Sequence, residues 1–314
     1  MRAVKCVEGA IRVVEAPATH GDGVRVRIRS AGICGSDLHL ISPASPFGPP
    51  SVTLGHELAG LTDDDTPVAI EPLAPCGTCE PCVRGDYNVC TLGPAMIFGV
   101  GRDGGMADEI RVPARAIVPL PNNIALRDAS LVEPLAVVMY ALRRSGLRAN
   151  QRVMVIGGGN IGLCAVAAAR ARGAEVALVA RHDAQRAAGE RLGATAASGL
   201  YDVVIEAAGT EGAVAQAVDS AKPGASVWIP GIYWGPLAMP GLAMCMKEVS
   251  LCPTMLYGRG PGGRDADAAA ALLASTPELP RALVTHRFPL DAAAEAFAAA
   301  ADKKAGAIKV VLEP

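Results

Sequence analysis

The chain reads as an α/β protein: a doubly wound parallel sheet joined to an irregular β domain that carries a cysteine lobe. Three observations lead there. From about residue 124, apolar strand patterns alternate with helical ones, the rhythm of a parallel sheet with crossover helices. Up to about residue 123, short alternating runs are broken by frequent Gly and Pro, which suits a domain of short strands. Within that first part Cys76, Cys79, Cys82 and Cys90 stand in a C-x2-C-x2-C-x7-C run. At that spacing four thiolates can close round one tetrahedral zinc and leave no position for a substrate. The expected boundaries are 1–123 for the β domain with its lobe at 75–91, 124–260 for the parallel sheet, and 261–314 for a return to the first domain.

The individual elements follow from their periods. Val24-Arg25-Val26-Arg27-Ile28-Arg29 alternates apolar and basic, as a half-buried strand does. Leu61 to Pro67 makes a short hairpin whose acids, Asp63, Asp64 and Asp65, fit a solvated turn. Asp128 to Arg144 has the spacing of a helix with a small apolar face. Val153–Ile156, Val176–Val179, Val203–Ile205 and Val227–Ile229 are continuous apolar strands, and helices are expected over Ile161–Arg172 and Ala184–Leu192. A Gly/Pro-rich stretch after 260 leads into Ala-rich helices at Asp265–Ser275 and Asp291–Asp302. The closing strand, Ile308 to Leu312, is expected to return to the first domain.

Bulk properties narrow the function. A net charge of −2 offers no basic surface for nucleic acid. No segment approaches about 18 charge-free apolar residues, so no membrane span is expected. The start, Met1-Arg2-Ala3-Val4-Lys5, has no apolar signal core, which points to the cytoplasm. In that reducing setting nine cysteines suit metal binding better than disulfides. Cys6, Cys164, Cys245 and Cys252 are scattered in apolar surroundings and read as core thiols.

Gly157-Gly158-Gly159-Asn160-Ile161-Gly162 follows one expected strand and opens a helix, the context that makes a G-x-G-x-x-G run a dinucleotide site. Gly157 allows the tight turn, Gly159 lets backbone approach a pyrophosphate, and Gly162 lets helix and strand pack closely. The amides of Asn160 and Ile161 then open the helix toward the phosphates. Together with the alternation of strands and helices, this marks a Rossmann sheet. A site for NAD carries Asp or Glu at the tip of the second strand, near the ribose 2′-hydroxyl. Here Ala180 is followed by Arg181 and His182, with Arg186 one turn on and Asp183 nearby. A guanidinium there suits the 2′-phosphate, so NADP(H) is favoured over NAD(H).

A looser set of metal-type residues, Cys34, His56 and Glu57, lies upstream of the lobe. The stretches Gly32 to His39, Gly55-His56-Glu57, Pro75 to Cys90, Asp103 to Asp108, Glu133-Pro134-Leu135 and the Gly157 turn occur in one order along nearly the whole chain. In these the chain resembles the zinc-dependent medium-chain dehydrogenases/reductases, the alcohol, sorbitol and threonine dehydrogenases. The resemblance implies a GroES-like β catalytic domain beside the Rossmann domain and two zinc ions per chain. The structural ion would be held by Cys76, Cys79, Cys82 and Cys90. The catalytic ion would be held by Cys34, His56 and Glu133, with Glu57 as a secondary ligand. One thiolate, one imidazole and one carboxylate neutralise Zn²⁺ and leave a position open. Permanent binding by Glu57 would add a negative charge and fill that position, so Glu57 is expected behind the ligands or only transiently among them. Asp37 is expected to take a hydrogen bond from the far ring nitrogen of His56. The resemblance gives Ser36 the substrate proton and His39 its passage to solvent.

The implied reaction is hydride transfer between a nicotinamide cofactor and a zinc-bound alcohol, ketone or aldehyde. An NAD-dependent polyol or sugar dehydrogenase, a zinc-free enone reductase and a non-catalytic NADPH-binding member of the same fold remain alternatives. The hairpin near Gly60 is shorter than is usual in the family, which sets the local barrel edge apart, and Pro43 to Pro50 makes a compact, proline-rich pocket rim. Met96, Phe98, Met139 and Trp234 hint at an aliphatic secondary alcohol or polyol, and a homodimer or homotetramer is expected, with Tyr233 to Met239 as a candidate contact.

Overall fold

A computed structural model describes residues 1–45 and 50–314. The middle of the Pro43–Pro50 stretch, expected near the pocket rim, lies outside the described residues. Two compact units emerge. One comprises Met1–Glu133, Gly258–Ser275 and Val284–Pro314; the other comprises Pro134–Tyr257 and Thr276–Leu283. The first unit therefore runs ten residues past the expected boundary at 123, and the short helix Glu278–Leu283 joins the second unit.

The first unit is built on a mixed sheet whose strands lie in the order Val284–Pro289, Lys309–Glu313, Val24–Ile33, Glu57–Thr62, Pro67–Ile70, Ile117–Pro119. Glu109–Val112 pairs with the first half of Val24–Ile33, while Lys309–Glu313 pairs with its last residues. One long strand thus organises the sheet. Its alternation gives way to continuous burial after Arg29, because both faces are covered there. The closing strand returns to this sheet antiparallel to Val24–Ile33, with Val310 opposite Ile33. Val26, Ile28, Leu54, Leu58, Met106 and Leu312 form the centre of the core. Ala293–Ala301 lays Ala293, Ala296, Phe297 and Ala300 against it, the i, i+3, i+4, i+7 face of an amphipathic helix. The short hairpin turns through exposed Asp63, Asp64 and Asp65, with Asp63 and Asp65 paired to Arg25 and Arg27 of the neighbouring strand.

The second unit holds a five-stranded parallel sheet in the order Ser250–Pro253, Ala221–Ile229, Tyr201–Glu206, Arg152–Ile156, Glu175–Val179. From Arg152–Ile156 the chain winds outward first to one side and then to the other, so the order reverses at that strand. Asn160–Ala171 buries most of its small residues, which lets it lie close to the sheet.

Two expectations need correction. The segment expected as one helix from Asp128 is a 3-10 turn over Leu126–Leu131 followed by an α-helix over Val132–Arg144. Pro134 explains the later start, because a proline lacking its N–H is tolerated only in the first turn. Among the scattered cysteines only Cys164 is fully buried; Cys245 is exposed, on a seven-residue helix, Gly241–Lys247, that buries none of its residues.

Candidate active site

The cysteine lobe is a short local structure. Cys79 precedes the helix Glu80–Arg84, which a left-handed Gly85 ends, and Cys90 closes the following 3-10 turn Tyr87–Val89. The four sulfurs gather within 4.8 Å of one another, and three of the pairs stand 3.6, 3.8 and 3.9 Å apart. A tetrahedron of zinc–sulfur bonds of about 2.3 Å puts its corners about 3.8 Å apart, whereas a disulfide needs about 2.05 Å. The donor set therefore fits a zinc ion and not a pair of disulfides. Backbone amides of Thr78 and Cys79 donate to Cys76 Sγ and draw its thiol down to about 5, toward the thiolate a metal needs.

The second cluster is assembled by the sheet. Cys34 stands at the end of the long strand and starts the short helix Gly35–Leu40. Pairing of Val24–Ile33 with Glu57–Thr62 sets Gly32 opposite Glu57, so His56 and Glu57 arrive beside Cys34. A Cβ on Gly32 would fall 2.1 Å from Glu57 Oε2, and only glycine leaves room for that carboxylate. Donor atoms of Cys34, His56 and Glu57 lie within 4.8 Å of one another. Glu133 opens the helix Val132–Arg144, is 6 % exposed, and lies close enough for its charge to act on His56, although it stands outside that 4.8 Å group. Its segment is tied down by Ser30, whose hydroxyl donates to Leu126 O and accepts from Ser130 N.

Around His56 the two ring nitrogens face different groups. Nε2 lies 3.2 Å from Ser36 Oγ, while Nδ1 faces Asp37 Oδ1 across 3.4 Å. Among the described residues neither Nδ1 nor Oδ1 has another partner, and both are buried. Asp37 spends its other oxygen on the Cys34 amide at 2.8 Å. Burial alone would depress the imidazolium, but Asp37, Cys34 and Glu133 outweigh it and raise the His56 pKa well above its usual value. Burial likewise pushes the Asp37 carboxyl up. The ring thus stands among a sulfur and two carboxylates, a donor set of the kind that holds a metal cation. His39 is exposed on the same short helix as Ser36.

Lys309 escaped the sequence reading. It opens the closing strand, is 2 % exposed, and donates to Glu57 Oε1 at 2.8 Å, to Glu57 Oε2 at 2.6 Å and to Ile33 O at 2.9 Å. A lysine heading an otherwise apolar terminal strand was the available signal. Met96 and Phe98, weighed as pocket residues, are buried at 2 and 6 % exposure, with Phe98 in the core; Met139 and Trp234 are half-buried.

In the second unit Gly157 takes a left-handed φ of 106° directly after its strand, and Gly159 precedes the first turn of Asn160–Ala171. A Cβ on Gly162 would meet the Gly157 carbonyl at 1.7 Å, so turn and helix can touch only through glycine. At the tip of Glu175–Val179, Arg181 is exposed and His182 precedes the helix Asp183–Arg191. Arg186 is engaged within this turn: it donates to Ala180 O at 2.9 Å and Arg181 O at 3.0 Å, and it pairs with Asp183.

Comparison with known proteins agrees with this geometry. The family model described as the alcohol dehydrogenase GroES-like domain matches residues 20–122, and that described as zinc-binding dehydrogenase matches residues 160–275. An L-arabinitol 4-dehydrogenase of Aspergillus oryzae is 33 % identical over 91 % of this chain and 85 % of its own length. The galactitol-1-phosphate dehydrogenase of Escherichia coli superposes with a TM-score of 0.88 at 29 % identity, covering 100 % of both chains. A protein of Sinorhizobium meliloti 1021 described as a zinc-binding dehydrogenase, solved with NADP, superposes with a TM-score of 0.86 at 29 % identity over 100 % of this chain and 99 % of its own. No helix among the described residues is long and apolar enough to cross a membrane. With this likeness over nearly its full length, the chain belongs to the zinc-dependent medium-chain dehydrogenase/reductase family and is an alcohol dehydrogenase in the broad sense, an oxidoreductase of CH–OH groups.

Proposed function

We propose that the protein interconverts a polyol-type secondary alcohol and its ketone with NADP(H), using one zinc at Cys34, His56 and Glu133 and a second in the cysteine lobe. The observation that carries this reading is the convergence of half-buried Cys34 and buried His56, with Asp37 behind the ring. Glu133 is the third ligand because both Glu57 oxygens are held by Lys309. That pair is neutral in itself, so Glu57 adds no net charge to the ligand set. A zinc held by Cys34, His56 and Glu133 would supply Lewis acidity toward the substrate oxygen, and a nicotinamide held at the Gly157 turn would supply the hydride acceptor or donor. Asp37 fixes the His56 tautomer so that Nε2 faces the metal position. Ser36 Oγ, beside that nitrogen, takes the proton of the substrate hydroxyl, and exposed His39 returns it to solvent.

The polyol class rests on the named activities of the relatives, which act on arabinitol and on galactitol 1-phosphate. The NADP preference rests on Arg181, exposed at a strand tip without a free carboxylate, since Asp183 is paired with Arg186. A homo-oligomer in a reducing cytoplasm completes the reading: all nine cysteines are free, and Ser250–Pro253 is an edge strand near exposed Leu242 and Met246. Light scattering measures the oligomer.

A panel of polyols and simple secondary alcohols, run with NADP⁺ and with NAD⁺, tests activity, substrate class and cofactor together. Arg181→Asp should lower the preference for NADP⁺ over NAD⁺ about 10- to 100-fold, the worth of a hydrogen bond to a charged group. An unchanged ratio would remove Arg181 from the phosphate site and favour an NAD-dependent polyol dehydrogenase.

A further inference from the structure

Glu206 ends the strand Tyr201–Glu206, is fully buried, and has three hydrogen-bond donors, none of them a cation. Its Oε1 accepts from the amides of Ala208 at 2.8 Å and Gly209 at 2.9 Å. Its Oε2 accepts from the Tyr233 hydroxyl at 2.6 Å. Burial, followed by that hydrogen bond, raises the pKa of Tyr233, so the phenol remains a donor. One carboxylate therefore ties together two turns that follow neighbouring parallel strands.

The location gives the tie its meaning. Strand order reverses at Arg152–Ile156, and ligands of such sheets bind at the carboxyl edge where it reverses. Glu206 stands level with Ile156, one residue before Gly157, and Ala207 donates to Ile156 O at 2.8 Å. A Cβ on Gly157 would fall 2.7 Å from the Ala208 amide nitrogen, so the phosphate turn rests on the turn that Glu206 shapes. With the pyrophosphate over Gly157 and the adenosine ribose near Arg181 on the Glu175–Val179 side, the other nucleoside must extend the opposite way. That direction leads over Tyr201–Glu206 and Ala221–Ile229, toward the two tied turns.

We propose that Glu206 and Tyr233 form a latch that positions the nicotinamide half of the dinucleotide site while leaving the adenosine half untouched. Both are positioning residues, acting through the backbone of Ala207–Gly209 and of the segment around Gly231. The proposal rests on the dinucleotide reading above.

The test compares two ligands on one protein. Binding of NADPH and of 2′,5′-ADP, which carries only the adenosine half, is measured by calorimetry for the wild type, Tyr233→Phe and Glu206→Gln. Tyr233→Phe should weaken NADPH about tenfold, the worth of one hydrogen bond to a charged group, and change 2′,5′-ADP less than about twofold. Glu206→Gln replaces the charged acceptor of the Tyr233 hydroxyl by a neutral amide, so it should weaken NADPH by a smaller factor than Tyr233→Phe and leave 2′,5′-ADP within about twofold; no loss of NADPH binding, or an equal loss of both ligands, would overturn the latch. Unchanged NADPH binding in Tyr233→Phe would overturn the latch, as would an equal loss of both ligands, which marks general loosening of the unit. Failure of the wild type to bind NADPH would instead reject the cofactor assignment beneath it.

Discussion

The two metal-type clusters of the first unit are made in opposite ways. The cysteine lobe draws its donors from Cys76 to Cys90, lies near the surface, and is held by amides from its own turns. The cluster at Cys34 draws on strands, a short helix and a helix start as far apart as Cys34 and Lys309, and most of it is buried. The first is a local structure that a metal would complete. The second is a product of the sheet, and its Glu57 carboxylate is held by Lys309, a side chain brought from a distance. Losses at the lobe should therefore appear in stability, and losses at the second cluster in chemistry.

The largest expected effect separates the two directly. Cys34→Ser should lower turnover by about 10³-fold or more, since several kcal/mol of transition-state stabilisation would depend on a metal held there. It should leave one zinc per chain and a melting temperature within a few degrees of the wild type. Cys82→Ser should do the reverse. The lobe loses its zinc and the protein melts at a lower temperature, by an amount reflecting the several kcal/mol that structural zinc contributes. The folded fraction keeps most of its turnover in cool buffer. Elemental analysis, calorimetry and initial rates measure all three quantities. If Cys82→Ser proved as inactive as Cys34→Ser at full folded content, the division between a local and an assembled site would be wrong.

A smaller effect probes what the sheet supplies. Lys309→Met leaves the Glu57 carboxylate buried without its cation, which should cost about 3–5 kcal/mol in denaturant unfolding. Adding Glu57→Gln to Lys309→Met should restore most of that loss, because the stranded charge is gone. Glu57→Gln alone should keep the zinc at Cys34. If it emptied that site as Cys34→Ser does, Glu57 would be a ligand and Glu133 would not be needed there.

The same contrast explains what could be read without coordinates. The lobe was legible because spacing alone brings its four thiols together. The dinucleotide turn was legible because its glycines answer to sterics within six residues, the clash at Gly162 included. Cys34, His56 and Glu57 stood out only as a loose set of metal-type residues, and Glu133 could be named only through resemblance, since nothing local joins it to them. Lys309 was missed because a lysine on an apolar strand looks exposed until the partner across the sheet is known to be Glu57. Arg186, expected one turn on from Arg181 as a helper at the 2′-phosphate, is held by two carbonyls of its own turn and by Asp183. The helix start was misplaced because a 3-10 turn and an α-helix bury the same face over a few residues, and only Pro134 marked the change.

Glu109 offers a milder version of the Lys309 test on the same sheet. It is 8 % exposed and accepts from Arg25 Nε at 2.6 Å, Thr19 Oγ1 at 2.7 Å and Thr19 N at 3.1 Å. Burial works against its charge, but Arg25 and Thr19 outweigh it and hold its pKa at about 2, below its ordinary 4.5. A carboxylate whose folded pKa is depressed stabilises the fold above its unfolded pKa. That stability is lost as pH falls from about 4.5 through about 2. Arg25 is partly open to water, so about 2 kcal/mol is expected at neutral pH, less than at Lys309. Glu109→Gln should show that deficit at pH 7, and the gap to the wild type should close as unfolding is measured toward pH 3. The Lys309→Met deficit should exceed it, because the Glu57 pair is shut away from solvent that could take over for a lost partner. A Glu109→Gln deficit that stayed constant with pH would assign the loss to packing and leave the charge at Glu109 without a role in holding the sheet together.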